Sequence, residues 1–324
     1  MGRQEAIKAI KMQAPEYVPV FFFNRDKELS DILMCGIQDH FGGEDGLHSE
    51  WGFEWEQLDD TMGQPRQAAD GSPAGLWGIR APEANRPGRF DEAEKAAAGA
   101  GAGKYIIAGL ELSGFTTMTC LAGFGNVLEG LCADPGGVGK LADTVFGFEE
   151  ELIGLAAGRG FDAIGFFDDW GTQQSLIISP EMWRQAFKPR YKKQFDLAHG
   201  GGMDVFFHSC GNIIDIIGDL VEIGADVLNI SQPNLFDIEK LGREFGGKVC
   251  FMCPVSYQTT SISGTKEEIY SDVKTLVDNL GRYNGGLIGY VEEYSSIGMP
   301  DENYWHCVNA FRELGRYGKT RLAG

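Results

Sequence analysis

Two short stretches of this chain carry side chains that could do chemistry together. The first is His208-Ser209-Cys210-Gly211, at the end of the apolar run that begins near Met203. Side chains alternate along an extended strand, so His208 and Cys210 point to one face, where an imidazole nitrogen and a thiolate could grip a single ion. That donor pair suits a borderline-soft divalent metal such as zinc. A packed cysteine beside a hydrogen-bonded histidine fits the same spacing. The second stretch is Asp168-Asp169, which ends the run from Phe161 to Phe167. Adjacent carboxyl groups raise each other's pKa, so one of them could carry a proton near neutral pH as general acid or base. The structural alternative is that one caps the following Gly171-Thr172-Gln173 or accepts a backbone hydrogen bond while the other lies exposed. Asn229 and Gln232 could position a polar substrate atom, or serve as interior amides.

The elements that must hold these residues alternate between strand-like and helix-like. Phe161 to Phe167, Met203 to His208, Asp226 to Asn229, Lys248 to Cys253 and Gly286 to Val291 each read as a short buried strand. Helix-like segments follow at Ile213 to Ile223, Ile238 to Phe245, Glu267 to Leu280 and Asp301 to Leu314. After the first of these strands, Ser179-Pro180-Glu181 supplies an N-cap, a proline at the first helical position and an early acid. The helix it opens shows Trp183, Phe187, Tyr191 and Phe195 at four-residue spacing, with a kink expected at Pro189. Five such units make over half of a barrel or most of a doubly wound sheet. In the first half, Tyr17 to Phe23 and Gly103 to Ala108 read as strands. Residues 1–16 read as an N-terminal extension and 45–103 as an insertion-rich region of one domain. Within it, Ala96 to Gly103 is of low complexity and is expected to form a mobile loop.

Composition narrows what the chemistry can serve. A formal charge of −19 argues against a phosphate-backbone ligand, so no nucleic acid is expected. No apolar run approaches the roughly 20 residues needed to span a bilayer, and the charged N-terminus does not read as a signal peptide. Seven cysteines, an odd number without small-domain spacing, fit reduced thiols in the cytoplasm.

Taken together, Phe167-Asp168-Asp169-Trp170-Gly171-Thr172-Gln173, Phe207-His208-Ser209-Cys210-Gly211-Asn212 and Asp226-Val227-Leu228-Asn229 with Gln232-Pro233 resemble the uroporphyrinogen decarboxylase superfamily. The resemblance runs from about Tyr17 to the C-terminus. Its H-x-C pattern is similar to the zinc-dependent, corrinoid-linked methyltransferases of that superfamily, including methyltransferase components of O-demethylases. It implies a (β/α)8 TIM barrel, zinc, and a corrinoid (cobalamin) carried by a partner protein that docks at an open rim. The small-molecule methyl donor or acceptor implied is a methoxylated aromatic ether, a methylated thiol or an amine, and the direction of transfer is left open. A homodimer is compatible with the sequence.

Departures from the pattern shape the site expected here. The N-terminal segment lacks the arginine-rich run that binds porphyrin carboxylates in true uroporphyrinogen decarboxylases. The coenzyme M type methyltransferases carry a further cysteine at the end of the last strand, where this chain has Gly289-Tyr290-Val291-Glu292-Glu293. Glu293 falls about where that ligand would be, and a carboxylate oxygen can ligate zinc. Glu292 and Glu293 also read as a solvated acidic pair. Cys253, at the same rim, is the second candidate third ligand, with Cys250 facing the opposite way. Tyr290 is assigned to the substrate. Phe21, Phe22, Phe23, Trp51, Phe53, Trp55 and Trp77 supply pocket walls or, for most of them, ordinary core. Two other classes fit: a metal-free decarboxylase of a smaller carboxylated substrate working through Asp168 or Asp169, and a non-catalytic module that only docks a corrinoid protein.

Overall fold

The computed structural model of the chain describes residues 2–40, 48–56, 64–66, 73–100 and 103–317. Eight parallel strands are the frame: β1 Val20–Phe22, β2 Ile32–Gly36, β3 Tyr105–Gly109, β4 Ala163–Phe167, β5 Asp204–Ser209, β6 Val227–Ile230, β7 Cys250–Pro254 and β8 Leu287–Val291. They are hydrogen-bonded in the order β1-β8-β7-β6-β5-β4-β3-β2. Between β1 and β2 the sheet nearly closes: Asp31 N donates to Val20 O at 3.0 Å, and Phe22 N donates to Ser30 Oγ at 3.0 Å. Helices cover the outside, so the architecture is a (β/α)8 TIM barrel.

Alternation along each strand divides the apolar residues into two cores. Phe21, Ile32, Tyr105, Ile107, Ala163, Phe206, Val227, Cys250, Met252 and Ile288 fill the barrel interior. The intervening residues, such as Cys35, Ile106, Ile164, Phe207, Leu228, Phe251 and Cys253, pack under the helices. Helix Gly2–Ile10 belongs to the inner core through Ala6, Ala9 and Ile10. The expected N-terminal extension is therefore the floor of the barrel, held by Arg3 to Asp162 at 2.5 Å and by Lys11 to Asp204 and Asp226 at 2.6 and 2.9 Å.

Three elements differ from the sequence expectations. Strand β2 comes from Ile32-Leu33-Met34-Cys35-Gly36, a run too short for periodicity to separate from core helix or loop. The expected loop at Ala96 to Gly103 is helical as far as Ala100, because alanine is the best helix former and Ala93, Ala97 and Ala100 pack on the core. Pro189 does more than kink: helices Pro180–Ala186 and Lys188–Gly200 break at Phe187, with Pro189 in the first turn of the second. Trp183, Phe187, Tyr191 and Phe195 nonetheless stay on one fully buried face. Ser179 caps as expected, its side chain accepting from Met182 N. The described part of the insertion leaves the carboxyl end of β2 and carries an antiparallel pair, Glu54–Glu56 with Gln64–Arg66, and a short helix Pro73–Trp77. Its stretches 45–47, 57–63, 67–72 and 101–102, the last within the expected loop, lie outside the described residues.

Candidate metal centre

The carboxyl ends of β4 and β5 bring three possible ligands together. Asp169, His208 and Cys210 each offer one donor atom, and these atoms all lie within 4.8 Å of one another. His208 Nε2 is 3.6 Å from Cys210 Sγ and 3.6 Å from an Asp169 carboxylate oxygen. That carboxylate oxygen also accepts from Cys210 N at 2.8 Å, which ties the two loops together.

Register explains why the histidine faces its partners with the right nitrogen. His208 pairs with Asn229 across β5 and β6, and Asn229 with Met252 across β6 and β7. Asn229 Nδ2 donates to Met252 O at 2.9 Å, so its oxygen is turned toward His208 Nδ1 at 2.7 Å. An oxygen there accepts the Nδ1 proton and leaves Nε2 as the ligating nitrogen, the usual outer-shell device of metal-bound imidazoles. Burial disfavours the imidazolium, but Cys210, Asp169 and Asn229 outweigh it and pull the His208 pKa up to about 9. The pocket therefore favours positive charge beside Nε2.

Cys210 is positioned by a backbone crossing. Gly171 N donates to Cys210 O at 3.1 Å and Asn212 N to Thr172 O at 2.7 Å. A Cβ on Gly171 would lie 2.4 Å from Gly211 C, and one on Gly211, whose φ is +77°, 2.2 Å from Gly171 C. Only glycine lets the two chains touch. Ser231, two residues beyond Asn229 on the same face, donates to Cys210 Sγ at 3.2 Å. Tyr257 stands near Cys210 and Ser231, and burial pushes its phenol up to about 12.

The two adjacent aspartates separate completely. Asp168 is fully buried and accepts from Phe115 N at 2.8 Å, from Thr116 N at 2.7 Å and Oγ1 at 2.8 Å, and from the Tyr191 hydroxyl. It thus anchors the start of helix Gly114–Ala122. Burial raises its pKa to about 7 against these donors. Asp169 is the exposed one, and it joins His208 and Cys210 in the candidate cluster.

The other expected site residues fall as follows. Asn229 has both ends engaged at 2% exposure, accepting at His208 Nδ1 and donating to Met252 O, so it supports His208. Gln232 is buried too, accepting from Gly211 N at 2.8 Å, and it holds the loop behind Cys210. Cys253 does not join the cluster: in β7 the inward residues are Cys250 and Met252, so Cys253 points at the helices, its thiol kept protonated by burial. Glu293 is outside the cluster as well, its carboxylate accepting from Ser295 N at 2.7 Å and its N–H donating to Asn24 Oδ1 at 2.9 Å. Its neighbour Glu292 turns toward the mouth, accepting from the hydroxyls of Tyr290 at 2.6 Å and Tyr294 at 2.8 Å. Burial raises the Glu292 pKa, and His208 is close enough to oppose it. Phe23 stacks on Tyr290 at 6.0 Å and is 38% exposed, so of the N-terminal aromatics it is a wall of the mouth, while Phe22, Trp51 and Phe53 are core. Ser231 was legible from Asn229 by alternation; Tyr257, on a loop, was not.

A parallel barrel with its polar cluster on the carboxyl rim defines the class of molecule. Residues 84–313 match the family model described as uroporphyrinogen decarboxylase (URO-D), and the chain belongs to that family. Among solved structures, a methyltransferase from Methanosarcina mazei superposes with a TM-score of 0.71 at 15% identity, covering 97% of this chain and 98% of its own. Xylanase B from Clostridium stercorarium F9 gives a TM-score of 0.48 at 10% identity, over 93% and 99% of the two chains. A search of curated protein sequences finds no match. Among the described residues, no helix is long and apolar enough to cross a membrane.

Proposed function

We propose that the chain is a zinc-dependent methyltransferase that moves a methyl group between a small methoxylated aromatic ether and a corrinoid held by a partner protein. The observation that carries this is the convergence of a carboxylate, an imidazole Nε2 and a thiol at the rim, with the imidazole orientation set from behind by Asn229. Their oxygen, nitrogen and sulfur donors fit zinc with a position left for substrate. Asp169, His208 and Cys210 would hold the ion, in place of the proton that the pocket otherwise favours on His208. Zinc bound there supplies a Lewis acid that stabilises negative charge on the oxygen losing its methyl group.

The remaining roles belong to the chain's own side chains. Ser231 donates to the Cys210 sulfur and tempers its charge. Glu292, with its raised pKa and its place beside Tyr290 and Tyr294, holds the proton that a departing phenolate takes up. Phe23, Phe167 and Tyr290 offer ring faces to an aromatic substrate; Phe167 lies 5.4 Å from the His208 ring. Asp169 is exposed, which leaves the rim accessible to a protein bringing the corrinoid.

The test is metal analysis of the purified chain, followed by assay with methoxylated aromatics and a reduced corrinoid protein. One equivalent of zinc and methyl-corrinoid formation only in the complete mixture are expected. Cys210→Ala should lose zinc and activity with the barrel still folded. Full zinc and normal activity in that variant, or turnover by the isolated chain with no corrinoid present, overturn the proposal. A metal-free decarboxylase draws on the family match itself; it predicts that His208→Ala stays fully active on a carboxylated substrate.

A further inference from the structure

The opposite side of the mouth, at β2 and β3, holds a second group of polar side chains. Counting inward positions from Ile32 and Ile107, which lie in the interior core, Gly36 and Gly109 face the mouth, and the two are paired in register. Gly109 pairs with Gly165 on β4. No side chain rises from these positions. The Glu111 carboxyl group occupies the space instead: a Cβ on Gly36 would lie 2.5 Å from Glu111 Oε1. Glu111 itself sits at φ +54°, a left-handed conformation that a non-glycine residue adopts only when the surroundings enforce it. Its other oxygen meets His40 at long range, 3.4 Å from the backbone N and 3.9 Å from Nδ1.

Gln38 lies in the bend that follows β2, two residues before His40, whose backbone N–H reaches Glu111. The Gln38 side chain is buried at 6% exposure, yet neither its amide nitrogen nor its amide oxygen has a hydrogen-bond partner. Buried amides are normally paired, and one left open beside a carboxyl group is what a binding subsite looks like before its ligand arrives. Two residues beyond Gly109 and Gly165 come Glu111 and Phe167, and Phe167 pairs with His208. Glu111 is thus two strands from His208, about 10 Å between backbones at the usual strand spacing. The Phe167 ring lies between them. Asp39 and Glu50 add negative potential around Glu111.

We infer that Glu111 and Gln38 form a specificity subsite for a hydrogen-bond-donating substituent, a hydroxyl or an ammonium group, at the end of the substrate remote from the metal. This rests on the proposed function for what happens at His208, but the subsite itself is a binding property. The zinc-loaded full chain should be titrated with methoxybenzene, a methoxyphenol and a methoxybenzylamine, and assayed with the same three. The donor-bearing rings are expected to bind at least tenfold tighter than methoxybenzene. In Glu111→Ala that ratio should collapse toward one, and in Glu111→Gln it should persist for the phenol and vanish for the amine if a hydroxyl is the natural group. Gly36→Ala, which pushes the carboxyl group out of the mouth without touching Glu111 itself, should lower the ratio in the same way. Equal affinities in the unaltered chain, or a ratio unchanged in both Glu111→Ala and Gly36→Ala, overturn the subsite whether or not methyl transfer occurs. A preserved ratio with no methyl transfer leaves the subsite and removes the methyltransferase.

Discussion

The two ends of the barrel carry the same residue types under opposite electrostatics. At the amino-terminal end, three aspartates that precede or open strands have basic partners: Asp162 has Arg3, Asp204 has Lys11, and Asp226 has both Lys11 and His199. Burial alone would raise the Asp226 pKa, but His199, Val205 N and Lys11 together bring it below the ordinary carboxylate value. At the carboxyl end, no lysine or arginine pairs with Asp169, Glu111 or Glu292 among the described residues. Burial pushes Glu111 up to about 7 and raises Glu292. Paired acids at the floor lock helix Gly2–Ile10 in place; rim acids with no lysine or arginine partner among the described residues are left to meet a cation or to hold a proton.

Substitutions can break this contrast in order of expected size. Loss of Cys210 should be largest, exceeding the roughly 10- to 100-fold fall in metal affinity typical of an outer-shell change, with the floor unaffected. Gly171→Ala drives a methyl group into the Gly211 backbone and should cost roughly 3 kcal/mol of stability together with zinc binding, read by denaturant unfolding and metal analysis. A variant as stable as the parent would mean that the crossing yields.

A pH effect comes next. His40 is fully buried, and burial lowers its pKa from 6.5 to about 3. Between those values the unfolded chain binds the proton and the folded chain does not. Stability from this group is complete above pH 6.5 and is lost as pH falls toward 3, by roughly 1.4 kcal/mol per unit. Because buried carboxyl groups such as Asp168 and Glu111 act in the opposite direction, the contribution is read as a difference: between pH 7 and pH 5 the parent should lose about 2 kcal/mol relative to His40→Gln in denaturant unfolding. An identical pH dependence in the variant would assign the acid sensitivity elsewhere. Smallest is Lys11→Met at the floor, expected to cost about 1 kcal/mol because its ion pairs are partly solvated, with zinc content unchanged. Zinc loss in that variant would show that the two ends are coupled.

What the residues declared by themselves was local. Period-two alternation put His208 and Cys210 on one face, because a strand reverses its side chains at each residue whatever surrounds it. The βα rhythm from Phe161 onward set the helices and strands of five units, and Ser179 announced its helix. The tertiary structure decided everything that depends on neighbours brought from afar. Asp168 and Asp169 are chemically identical in the sequence; only the arrival of Phe115, Thr116 and Tyr191 assigns one to anchoring a helix and leaves the other beside His208 and Cys210. Cys250 and Cys253 were known to face opposite ways, but which way was inward followed only from the packing of β7 against Val227 and Ile288. Glu293 was the expected third ligand because spacing along one strand cannot reveal that its carboxylate turns back to Ser295 N. A side chain's direction along its own strand is set by bond geometry, whereas its partner is set by which strand folds beside it.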